Sequence, residues 1–91
     1  MIQKESQESN RISHSQIRAA RALLGWSGKD LASYSSVGMA TIRRYEKQGG
    51  LITPNPNVLQ AIKRTLEKAG IEFTGDPLVN PGVTLNLNHK S

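Results

Sequence analysis

Helix-start and helix-stop residues recur so closely between Ser13 and Gly70 that no long helix fits there. Ser13-His14-Ser15-Gln16 is an S-x-x-Q capping box, whose serine and glutamine each serve a backbone amide left free by the helix start. Ile17, Ala20 and Leu24 follow at helical spacing and Gly25 closes the run, which predicts a helix over 14–24. Ser27 opens the next stretch, with Trp26 before it and Leu31 at the spacing of a hydrophobic staple. That second helix, about 28–34, is too short to stand alone and must be held by its neighbours. Ser35-Ser36-Val37-Gly38 makes a tight polar connection with one apolar anchor. A third helix runs from Met39 to about Lys47, with Ile42 and Tyr45 turned inward. Gln48 to Pro54, containing Gly49-Gly50, reads as a loop. Asn55-Pro56 then supplies an N-cap followed by proline in the first turn, and Leu59, Ile62, Leu66 and Ala69 form the stripe of a fourth helix over 56–69, closed by Gly70.

Beyond Gly70 the apolar period changes from 3.6 to 2. Ile71 and Phe73 alternate with Glu72 and Thr74, and Val83, Leu85 and Leu87 alternate with Thr84, Asn86 and Asn88. Gly75-Asp76-Pro77 and Asn80-Pro81-Gly82 supply turns between the two runs, predicting a short β-hairpin. An isolated hairpin is marginal in water, so its apolar face must lie on the helices or meet a partner. The fold class expected is mainly α: four helices in one small domain with a short C-terminal β-hairpin. Residues 1–12, rich in Gln, Ser and Glu, read as a disordered lead-in, and 88–91 as a tail.

Composition removes several functional classes. The 91 residues contain no cysteine, which excludes a disulfide scaffold, a Cys-based zinc site and a thiol nucleophile. Apolar runs of two or three residues cannot span a membrane, and the polar start lacks a signal-peptide core, so an intracellular compartment is the default. His14 and His89 have no carboxylate neighbours at ligand spacing, no Ser/His/Asp set falls in related elements, and Gly49-Gly50 lacks the Gly-Lys-Ser/Thr of a phosphate loop. No enzyme activity, metal or cofactor is expected. Trp26 and Tyr45 read as staple and core rather than as a base-stacking platform.

Charge is unevenly placed. The chain carries +5, yet residues 1–10 and 69–91 are each −1; residues 11–68 hold ten bases against Asp30, Glu46 and Glu67, or +7. Such a segment is either a solvated basic face or the footprint of a polyanion, with nucleic acid as first candidate.

A short helix, a four-residue turn and a second short helix make the helix-turn-helix layout. The run Gln16-Ile17-Arg18-Ala19-Ala20-Arg21-Ala22-Leu23-Leu24-Gly25-Trp26-Ser27, continued by Leu31-Ala32, Val37, Thr41-Ile42 and Glu46, resembles the phage-repressor/Cro-like, or XRE, family of DNA-binding domains. It is similar in particular to small bacterial members whose fourth helix runs into a strand of the Gly70-Ile71-Glu72-Phe73 type. The likeness covers roughly residues 13–87. It implies a helix-turn-helix domain over 13–70 and a double-stranded DNA partner read by the third helix in the major groove. It further implies a homodimeric, cytoplasmic, nucleoid-associated regulator of bacterial or phage origin.

The resemblance also assigns residues. Met39, Ala40, Thr41, Arg43 and Arg44 take base-facing or adjacent positions; arginine can fork two hydrogen bonds to a guanine, while Met39 and Ala40 suit a thymine methyl. One of the two arginines alternatively neutralises phosphate only. Ser27, Lys29, Lys47 and the amides of Gly49 and Gly50 are the expected phosphate contacts, which position without specifying. Arg21 and Glu46 fall where the family pairs the first helix with the third, either partly buried or as a weak exposed pair.

Three positions depart from the family pattern. Gly28 stands for a phosphate-binding Gln, Ser36 for the turn Gly, and Gly38 for the Ser or Thr cap. Ile71, Phe73, Val83, Leu85 and Leu87 are the candidate dimer residues, against the alternative that the strands only cap the fourth helix. Two rivals to a DNA-binding regulator remain open. One is an antitoxin whose 1–12 tail folds onto a toxin protein; the other is an interaction or RNA-binding module of the same shape.

Overall fold

The computed structural model describes residues 12–47 and 55–87. Four helices, α1 (His14–Leu24), α2 (Gly28–Ser35), α3 (Met39–Lys47) and α4 (Pro56–Lys68), precede two strands, β1 (Ile71–Thr74) and β2 (Gly82–Leu85). Among these residues no helix is long and apolar enough to cross a membrane.

Local chemistry explains each boundary. At α1 both halves of the capping box are made: the Gln16 amide donates to Ser13 Oγ at 3.2 Å, and the Ser13 amide donates to Gln16 Oε1 at 2.8 Å. Gly25 ends α1 at φ 72°, where a side chain would clash with its own backbone. α2 also opens on a capping box, with Asp30 answering Ser27, an acidic variant that a search for Glu or Gln passes over. Its end is set by Ser35, whose buried hydroxyl donates to the Leu31 carbonyl at 2.7 Å, and by Ser36 in the left-handed region at φ 62°. Gly38 gives its carbonyl to the Ile42 amide at 3.0 Å and so begins α3. Asn55 caps α4 through its side chain, and Ala69, expected inside that helix, is its C-cap.

One core joins all four helices and the hairpin. Ile12, Ile17, Ala20, Leu31, Ile42, Tyr45, Leu59, Ile62, Leu66 and Ile71 are buried in a single cluster, with Trp26, Val37, Phe73, Val83 and Leu85 packed on its rim. Ile12 corrects the expected lead-in. It is fully buried, so the polar segment stops before it, and residues 1–11 lie outside those described. The polar letters on both sides of Ile12 mask a lone core residue from any periodicity argument.

β1 and β2 pair antiparallel, Ile71 opposite Leu85 and Thr74 opposite Gly82. β2 stops at Leu85 rather than running to Leu87. The Asn86 amide reaches the Gly70 carbonyl at 2.9 Å, and beyond that point the opposing chain has turned into α4, so Leu87 has no strand to pair with. The hairpin lies across α1 and is fastened there by Gln16. Its buried amide nitrogen donates to the carbonyls of Thr74 at 3.3 Å and Gly82 at 3.0 Å.

Candidate nucleic-acid interface

α3 carries its charge on one side. At about 100° per residue, Ala40, Arg43, Arg44 and Lys47 share a face opposite Ile42 and Tyr45. Those four are exposed, whereas Ile42 and Tyr45 are 1% and 2% exposed. Arg43 and Arg44 have no ion-pair partner among the described residues. Thr41 and Met39 lie half-buried on the two flanks of that face. Met39 also leans on α2, since a Cβ built at Gly28 would sit 3.2 Å from the Met39 methyl.

The rear of α3 is clamped to α1. Arg21 grips Glu46 with two parallel bonds, Nε to Oε2 at 2.7 Å and Nη2 to Oε1 at 2.8 Å, while its Nη1 donates to the Trp26 carbonyl at 3.0 Å. The two side chains are 21% and 12% exposed, partly buried rather than free in solvent. The Arg21 guanidinium is pushed above its ordinary pKa, chiefly by the hydrogen bond to Glu46, against a smaller opposing effect of burial. It therefore stays charged at any working pH. Arg18 adds a contact that the sequence reading did not assign: its Nη1 donates to the Glu46 carbonyl at 3.0 Å. A cation at the last turn satisfies a carbonyl that has no helical partner and opposes the negative end of the helix dipole. The only sequence signal for it is that Arg18 and Arg21 share a face of α1.

Of the other expected phosphate contacts, Lys29 and Lys47 are exposed and free of ion pairs among the described residues. Ser27 is already a cap: its hydroxyl accepts from the Asp30 amide at 3.0 Å, and the Asp30 carboxylate accepts from the Ser27 amide at 2.9 Å. The Asp30 carboxylate therefore lies beside the Ser27 amide and hydroxyl at the start of α2. Gly49 and Gly50 lie outside the described residues. No group of three or more His, Cys, Asp or Glu capable of holding a metal occurs among the described residues.

Basic residues on α4 fall into two sets. Lys63 is engaged, its Nζ 2.9 Å from Glu67 and 5.8 Å from the centre of the Phe73 ring. Arg64 and Lys68 are exposed and unpaired among the described residues.

The dimer candidates divide in the same way. Ile71 is 3% exposed, and Phe73, Val83 and Leu85 pack against the chain's own core, whereas Leu87 is 86% exposed.

No curated protein matches the chain. The helix-turn-helix family of the Cro/C1 type matches residues 17–72, a span running from the first core residue of α1 to the start of β1. That family is a DNA-binding regulatory one rather than an enzyme family. Matched over more than half its length, and built as the match requires, the chain belongs to the helix-turn-helix, XRE-type family of DNA-binding regulators.

Proposed function

We propose that the protein is a sequence-specific regulator of transcription that binds double-stranded DNA as a homodimer, with α3 in the major groove of each half-site. It would act in the cytoplasm, on the nucleoid of a bacterium or on phage operators. The observation that carries this reading is the division of labour among the arginines. Arg18 and Arg21 hold the rear of α3, while Arg43 and Arg44 stand exposed and unpaired among the described residues on its outer face. A planar guanidinium in that place can fork onto guanine O6 and N7, a contact worth about 1–3 kcal/mol of discrimination. Lys47 shares that face of α3 and Lys29 is exposed in the first turn of α2, and both would supply phosphate attraction. A single domain of this size offers modest contact, and pairing two on a two-fold site about one helical turn apart multiplies it.

Selection of binding sites from random duplex DNA tests the reading. A two-fold motif is expected, lost with Arg43→Ala/Arg44→Ala while thermal stability stays unchanged. Enrichment of no sequence at moderate salt would overturn it.

A further inference from the structure

The hairpin's strands turn their apolar faces onto the chain's own core, yet its tip does not. Leu78 and Val79, adjacent in the turn between the strands, are 64% and 79% exposed. The tip is rigid. Asp76 Oδ1 accepts from the Leu78 and Val79 amides at 2.8 and 3.2 Å, Asn80 Oδ1 accepts from the Asp76 amide at 2.7 Å, and Pro77 and Pro81 bracket the turn. Gly75 permits the closure: at φ 74° a Cβ there would lie 1.9 Å from the Asn80 carbonyl oxygen. This is an apolar knob held by internal hydrogen bonds. It bears the exposed Asp76, and the exposed Glu72 lies further back on β1.

Elsewhere the molecule has a matching hollow. An open groove of about 980 Å³ runs between the end of α2 and α4, walled by Trp26, Tyr34, Ala61 and Ala69. Trp26 and Tyr34 stand with ring centres 4.6 Å apart, and Tyr34 is 61% exposed. Arg64 and Lys68 form its charged rim; Glu67, the one acid there, is engaged by Lys63. Tyr34 lies about 140° around α2 from Lys29, so the groove opens away from the proposed DNA-facing flank.

The geometry points to a second copy of this chain as the occupant: the Leu78–Val79 knob of one subunit seats in the Trp26–Tyr34 groove of the other, and reciprocally. Two arguments select that partner over a foreign one. Knob and groove are both exposed and apolar on the same molecule, and their rims carry opposite charge, Asp76 and Glu72 against Arg64 and Lys68. Reciprocal exchange is what two-fold symmetry demands, and it buries both features twice. The inference rests on the homodimer in the reading above and gives it an interface other than the strand faces.

Analytical ultracentrifugation of the full chain, with the emission of its single tryptophan as a second readout, tests the interface. The wild type is expected to dimerise with a blue shift of Trp26 emission. Leu78→Asn/Val79→Asn (knob) and Tyr34→Ala/Arg64→Glu (groove) alter exposed residues; each is expected to keep its circular dichroism and to weaken association on the order of tenfold or more. Mixing the two variants restores one intact knob–groove contact, so the heterodimer is expected to form at lower concentration than either variant's homodimer. A wild type that stays monomeric, a knob variant that dimerises as tightly as the wild type, or a mixture that associates no better than either variant alone would each overturn the interface. DNA selection reads out separately: a monomer that still enriches a half-site sinks this interface and spares DNA recognition, whereas a dimer that enriches nothing does the reverse.

Discussion

At Ser36 the chain holds a β-carbon in the left-handed region, φ 62°, the only non-glycine there among the described residues. That conformation costs about 1–2 kcal/mol for an ordinary residue, less the backbone freedom that glycine loses on folding. Ser36 is exposed, and among the described residues no hydrogen bond of its side chain offsets the strain. Ser36→Gly is therefore expected to stabilise the domain by about 0.5–1 kcal/mol and raise Tm by roughly 2–6 °C, read by thermal denaturation. An unchanged or lower Tm would show that the strain is absorbed elsewhere. This residue was legible from its place in the family turn. Gly28 was not: its spacing reveals a missing side chain, while the methyl that fills the gap comes from Met39, eleven positions on and across a turn.

Helix α3 is an element fastened at one end. Its rear is tied by Arg18 and Arg21, whereas its first turn begins at a bare Gly38 without a side-chain cap. The clamp is asymmetric in what its loss exposes. Removing Glu46 leaves Arg21 still bonded to the Trp26 carbonyl, but removing Arg21 strands both that carbonyl and a carboxylate only 12% exposed. Arg21→Met is expected to cost roughly 2–4 kcal/mol and Glu46→Met less, by urea denaturation. The double variant is expected to cost less than the sum of the two. Strict additivity would mean the pair contributes nothing as a pair. The helices themselves were readable because capping residues, glycines and the apolar stripe act within one or two turns. Arg18 escaped the sequence reading because its partner is a backbone carbonyl, which has no letter of its own.

For the whole molecule, the hairpin is a wall of the core rather than an appendage. Ile71 lies in the main cluster, Phe73, Val83 and Leu85 line its rim, and Ile12 enters the same cluster from the other end of the chain. The period-2 pattern showed that these strands have an apolar side. It could not say what that side meets, because burial against one's own helices and against a second subunit demand the same letters. Leu87 marks the limit of the pattern: alternation continues through it in the sequence, while pairing ends where the opposing chain becomes α4.

Gln16 gives the molecule a common melting point. One amide group closes the first turn of α1 and also bonds Thr74 and Gly82, 58 and 66 residues away. The start of α1 and the turn-side end of the hairpin, where Thr74 faces Gly82, therefore cannot open separately without orphaning a buried polar group, and they form one cooperative unit. By hydrogen exchange, the Ser13 amide and the amides of β1 and β2 that pair across the sheet are expected to open with the same free energy. Gln16→Glu keeps the accepting oxygen for Ser13 but sets a carboxylate against two carbonyl oxygens. Burial and those carbonyls raise its folded-state pKa, so the variant's stability is present at acid pH and falls as pH rises and the group ionises. In such a chain fraying is not a local matter. Damage at the hairpin's turn would be felt first at the opening turn of the domain.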